Sequence, residues 1–93
     1  MKTEPTLTGY GLMAERHWRE HRPNMVRELE TRGKLEEALY EAQERTTDEM
    51  LAIMERLETE QGLTVQQSKD AAWEIVRERY ILLPAEEDDG QAA

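Results

Sequence analysis

Between residues 35 and 57, Leu35, Leu39, Ala42, Thr46, Met50, Ile53 and Leu57 recur at spacings of 4, 3, 4, 4, 3 and 4. That period places them on one stripe of an α-helix and does not fit the two-residue alternation of a strand. Glu36, Glu37, Glu41, Glu44, Glu55 and Glu58 fall mostly off the stripe, as the solvent side of such a helix requires. A helix running from Lys34 to Glu60 would be the spine of any fold this chain adopts. One feature works against it. Thr46-Thr47-Asp48-Glu49 has the S/T-x-x-E form of a capping box, which would begin a new helix at Thr46. A single helix, bent at most near Thr46, is the preferred reading; two helices meeting there is the alternative.

The other segments follow the same rule. From Leu12 onward Leu12, Ala14 and Trp18 share a face, with Arg16, Arg19, Glu20 and Arg22 pointing outward. Pro23 disfavours helical geometry at the residue before it, so this helix ends near His21–Arg22. Pro23 then serves as first residue of a second helix with Met25, Val26 and Leu29 as its stripe, closed by Gly33. Gly62 ends the long segment, and Thr64-x-x-Gln67 is a capping box for a last helix burying Val65, Ala72, Trp73, Val76 and Tyr80. Pro84 stops it. Phenylalanine is absent, and β-branched residues are few in a chain that is 35% charged, so strands have little to build on. The pattern predicts an all-α fold, a small three- to four-helix bundle with one long central helix. Its organisation is a flexible arm at 1–8, a helical domain at 9–84 and an acidic disordered tail at 85–93.

No cysteine is present, which excludes disulfides and thiolate metal sites and fits a reducing compartment. No segment has the apolar run of a signal peptide or of a membrane span, so a cytoplasmic protein that does not enter the membrane is expected. The net charge of −9 is unevenly spread. Residues 1–34 carry seven basic side chains against five acidic, and residues 35–93 five basic against sixteen acidic. Two surfaces of different character follow from that asymmetry.

His17-Trp18-Arg19-Glu20-His21 matches HxxEH, the inverted zinc-protease signature. The match is short, and a metal site needs a third ligand, an open coordination position and a substrate cleft. Arg19 and Arg22 put cations beside a would-be dication, and Pro23 distorts the turn that sets the histidine spacing. Ser68, the single serine, lies in a helical pattern with no histidine near it in sequence. Gly9-Tyr10-Gly11 lacks both the GxGxxG spacing and a preceding strand. No catalytic residue, cofactor or metal is expected, and the chain reads as a non-enzyme.

Two charged surfaces remain as binding candidates. Arg16, Arg19, Arg22 and Arg27 form a cationic group suited to a protein partner. As a nucleic-acid site they are opposed by the protein's overall negative charge, which a phosphate backbone repels. Glu37, Glu41, Glu44, Asp48 and Glu55 place carboxylates along the long helix, an arrangement that imitates a phosphate backbone or simply keeps the helix solvated.

Several landmarks fall in a familiar order: Gly9 and Gly11, the His21-Arg22-Pro23 corner, Leu29, Gly33-Lys34-Leu35, Leu39, Gln61-Gly62-Leu63-Thr64, Lys69, Trp73 and Glu74-Ile75-Val76. Together, across roughly residues 9–81, they resemble the TnpV family of small proteins encoded on transposons and other mobile elements. The layout is also similar to that of short phage- and prophage-encoded proteins. The resemblance implies a mobile-element origin and a helical fold, and it carries over no catalytic residue. The resulting expectation is a non-enzymatic accessory protein of a mobile element or prophage that acts by protein–protein binding, with a homodimer as leading assembly. An acidic mimic of DNA that inhibits a host nucleic-acid-binding or defence enzyme is the alternative. Nucleic-acid binding through the basic N-terminal segment is the second.

Overall fold

The apolar stripe forms one uninterrupted helix. The computed structural model describes residues 7–86, and within them the chain makes four α-helices and no strand: α1 (Gly9–His21), α2 (Pro23–Thr31), α3 (Leu35–Gln61) and α4 (Val65–Tyr80). The fold is therefore all-α, as the pattern predicts. The N-terminal arm up to residue 6 and the acidic tail from residue 87 lie outside the described residues.

The 27 residues of α3 give a rod of about 40 Å, and the other three helices all contact it. Leu39, Ala42, Thr46 and Met50 are buried along its inner face. The capping box at Thr46 does not form. Thr46 is fully buried and its hydroxyl has no hydrogen-bond partner. Starting a helix there would pull this side chain out of the interface and break the continuous face on which α1 and α4 both rest. Tertiary packing wins over a local signal worth about 1 kcal/mol. The second capping box does form: Gln67 N–H donates to Thr64 Oγ1 at 3.1 Å, and Thr64 N–H donates to Gln67 Oε1 at 2.9 Å. Gly62, at φ 67°, turns the chain between α3 and α4 in a conformation that side chains with a Cβ resist.

The core has two parts. Ala14 and Trp18 of α1, Val26 of α2, Leu39 and Ala42 of α3, and Ile81 beyond α4 make the larger cluster. Met50, Ala72 and Val76 make a smaller one, flanked by Tyr10, Ile53 and Trp73. The Tyr10 and Trp73 rings stack at 5.5 Å and link the two. Each fully buried aliphatic, such as Val76 or Ile81, stabilises by roughly 1.5–3 kcal/mol. Close approach of α1 to α3 depends on Gly11, where a Cβ would come within 2.5 Å of Gln43 Oε1. Gln43 is itself buried and accepts from Thr8 N–H.

Four expectations need correction. α1 begins at Gly9, not Leu12, because the turn is closed by Leu12 N–H donating to Thr8 O at 2.9 Å. Leu12 is 55% exposed, since the face that meets α3 runs through Gly11, Ala14 and Trp18. Val65 is 65% exposed, because it stands at the tip of the α3–α4 hairpin where nothing packs over it. Ser68 takes the buried place instead. Arg22, finally, was expected to point outward but is half-buried and bends toward the C-terminal segment.

Replacing Thr46 by Val removes a buried hydroxyl with no partner and keeps the shape. Thr46→Val is expected to leave helicity unchanged and to raise unfolding free energy by about 1 kcal/mol in urea titration.

Candidate functional site

The His17–Pro23 corner holds residues 80–86. Trp18 Nε1–H donates to the carbonyls of Tyr80 (3.2 Å) and Ile81 (3.1 Å). His17 Nε2 lies 2.8 Å from Leu83 O. A carbonyl only accepts, so this nitrogen carries the proton and is not free to ligate a metal. Arg22 Nη1–H donates to Pro84 O at 2.9 Å, and Glu86 N–H donates to His21 O at 3.0 Å. The Glu86 carboxylate in turn accepts from the backbone N–H of Asn24 (3.1 Å) and Met25 (2.8 Å). No local side chain caps α2, so Glu86 supplies the missing acceptor and a negative charge at the positive helix end. The His17 and His21 rings sit 4.3 Å apart. Among the described residues no group of three His, Asp or Glu side chains is arranged to hold a metal ion. The corner is thus a clamp on residues 81–86.

The cationic group is largely engaged within the chain. Arg19 bonds Glu15 at 3.0 Å and Glu30 at 3.2 Å, and those two hydrogen bonds raise its pKa above the ordinary arginine value. Arg27 donates to Asn24 Oδ1 at 2.9 Å, and Arg22 is spent on Pro84. Arg16 is exposed and forms no ion pair among the described residues. The acidic residues, by contrast, do share one exposed ridge of α3. Glu41 pairs with Arg45 (3.1 Å) and Glu37 with Lys34 (3.4 Å). Glu44, Asp48 and Glu55 form no ion pair among the described residues. Leu51, 62% exposed, interrupts them.

A third surface lies between α3 and α4. Ala52, Ile53 and Leu57 of α3 and Ile75 of α4 form the floor of an open groove of about 360 Å³, with Glu49, Arg56 and Arg79 on its rim. It continues past Arg79 into a hollow of about 280 Å³ bounded by Ala38, Glu41, Ala42, Arg45, Tyr80 and Leu83. At the junction the Glu49 carboxylate accepts from the Tyr80 hydroxyl and from Arg79 Nη1–H at 2.7 Å. The Tyr80 hydrogen bond, with Arg79 assisting against partial burial, lowers the Glu49 pKa; the same bond raises that of Tyr80. Ala52, Arg56, Ile75 and Arg79 were not placed in a site from sequence, where Ile75 stood only as a family landmark. Their signal was present but faint: Ala71, Ile75 and Arg79 make a second row on α4, one position off the buried one.

The family model described as "Transposon-encoded protein TnpV" matches residues 1–87. No curated protein and no solved structure matches the chain. No helix among the described residues is long and apolar enough to cross a membrane.

Two measurements check this geometry. Because the folded state lowers the Glu49 pKa below its ordinary 4.5, the stability it contributes is complete above that value and is lost as pH falls through the folded-state value. The stability gap between wild type and Glu49→Gln should therefore be present at neutral pH and close in acid, as read by urea titration at each pH. Removing the remote helix cap with Glu86→Ala should lower unfolding free energy by about 1 kcal/mol, while leaving the helix content measured by circular dichroism nearly unchanged.

Proposed function

The chain belongs to the TnpV family of transposon-encoded proteins, and on that premise we propose that it is a non-enzymatic accessory protein of a mobile genetic element that acts in the cytoplasm by binding a protein. The observation that carries this is the groove between α3 and α4. Its floor of Ala52, Ile53, Leu57 and Ile75 is apolar, and its rim carries Arg56 and Arg79 with Glu49. An apolar centre with an arginine-bearing polar rim is the composition of protein–protein contact sites. Ile75 is 46% exposed in the isolated chain, so covering it would release water from apolar surface. The rim mixes both charges, which suits a protein better than a phosphate backbone. The occupant is a protein encoded by the element or host, or a second copy of this chain.

A second reading gives the work to the acidic ridge, as a mimic of DNA that inhibits a host nucleic-acid-binding or defence enzyme. The unpaired Glu44, Asp48 and Glu55 favour it. Glu37 to Glu55 span about 27 Å of helix, so five carboxylates lie more sparsely than phosphates on one DNA strand, spaced about 3.4 Å apart. Exposed Leu51 in their midst also has no counterpart in a phosphate backbone. Direct nucleic-acid binding through Arg16, Arg19, Arg22 and Arg27 has less support again, since three of the four are engaged within the chain.

One experiment separates these. A photo-crosslinking residue is placed at Ile75, or at Glu44, in the full chain expressed in its host. Protein adducts from position 75 and not from 44 are expected. Adducts confined to position 44 and formed with a DNA-binding enzyme would favour mimicry. Absence of protein adducts from both positions would overturn protein binding.

A further inference from the structure

α1 and α2 cover the first half of α3, where Ala14, Trp18 and Val26 join Leu39 and Ala42. Beyond Met50 the hairpin of α3 and α4 has a thin core, with Met50, Ala72 and Val76 its fully buried members. Two helices bury one seam between them. Stable helical folds close the remaining side with further helices, and on this hairpin that side is the groove over Ala52, Ile53, Leu57 and Ile75.

The row of α3 side chains along the groove has a charge order that determines what fits it. Arg45, Glu49, Ala52, Arg56 and Glu60 follow at spacings of 4, 3, 4 and 4, which keeps them on one face. Read in the opposite direction about Ala52–Ile53, the order is its own complement. Glu49 falls opposite Arg56, and Arg45 falls opposite Glu60. Arg56 and Glu60 form no ion pair among the described residues. Arg45 bonds Glu41 through Nε and Nη2 and also interacts with the Tyr80 hydroxyl. The Glu49 oxygens each accept one bond and can accept another. Ala52, at the centre of the row, is small enough for two helices to approach closely. The unpaired carboxylates of the ridge lie to one side of this row, with Asp48 about 40°, Glu55 about 60° and Glu44 about 80° round the helix from Ala52.

We infer that the occupant of the groove is a second copy of this chain, set antiparallel across a two-fold axis between Ala52 and Ile53. This rests on the protein-binding reading and specifies its partner. Two α3–α4 hairpins then form a four-helix arrangement. Isologous contact repeats each cross-pair, so Glu49–Arg56 and Arg45–Glu60 each occur twice. The apolar floor supplies the attraction, and the four charge pairs set the register and exclude the parallel alternative, which would place like charges together.

The test is a charge exchange read by sedimentation equilibrium on the full chain. Wild type should sediment at twice its 10.9 kDa mass. Glu60→Arg sets a new arginine against the Arg45 of the other copy, and Arg45→Glu sets a new glutamate against its Glu60. Each variant alone should therefore dimerise at least about tenfold more weakly. Mixed in equal amounts, the two variants restore opposite charges at both places and should recover the dimer. Wild type that remains a monomer well above micromolar concentration, or a mixture no tighter than its components, would overturn the inference. A monomer that still yields adducts with another protein from position 75 would sink self-association alone. The absence of adducts as well would sink the protein-binding reading with it.

Discussion

Burial of one face of α3 is the constraint on which everything else in this protein rests. Leu39, Ala42, Thr46 and Met50 form a continuous row, and two different helices read it. α1 lies against the first part through Ala14 and Trp18, and α4 lies against the second through Ala72 and Val76. Breaking α3 at Thr46 would uncouple the two core clusters. A buried, unpaired threonine hydroxyl is tolerated at that point because the alternative would cost the contacts on both sides.

The second constraint is the return of the chain to its own first corner. Residues 81–86 cross α1 and the start of α2, held by the His17 ring, the Trp18 indole, Arg22 and the His21 carbonyl. This accounts for an unusual composition without invoking chemistry. The imidazole, the indole and the guanidinium are donors at the right reach for a row of backbone carbonyls, and an α2 lacking its own cap accepts a carboxylate from sixty residues away. Of the two histidines in the motif that resembles a zinc ligand pair, His17 serves in this fold as a hydrogen-bond donor to a backbone carbonyl.

These two arrangements leave the surface divided by use. Arg19, Arg22 and Arg27 are engaged by groups of their own chain, Arg16 is exposed, and the glutamates of the α3 ridge remain in solvent. The groove between α3 and α4 joins exposed apolar surface to charged groups with capacity to spare. Its junction, where Glu49 meets Tyr80 and Arg79, fixes α4 against α3 and so holds the groove walls at their spacing. Its walls are two long helices and not loops, which keeps the groove's shape fixed.

The helical class, the apolar stripe that makes a helical spine, the glycine turn at Gly62 and the Thr64–Gln67 cap were legible in the sequence, because each follows from local spacing or from one residue's backbone preference; three helices or four, and one or two of them across 34–60, stayed open. Trp18 and Leu39 were legible as core for the same reason. Other features were not. That Thr46 would continue a helix and not cap one, that Leu12 and Val65 would be exposed, and that Glu86 would cap a helix opened by Pro23 depend on what lies across from them in space. The groove between α3 and α4 belongs to this second group. Ile75 and Ala52 sit one position off the buried rows, and a helical period cannot tell a flank that faces a neighbour from one that faces water. Local period fixed which side chains share a face; only the packing of the helices against one another decided which faces are covered and which are left open.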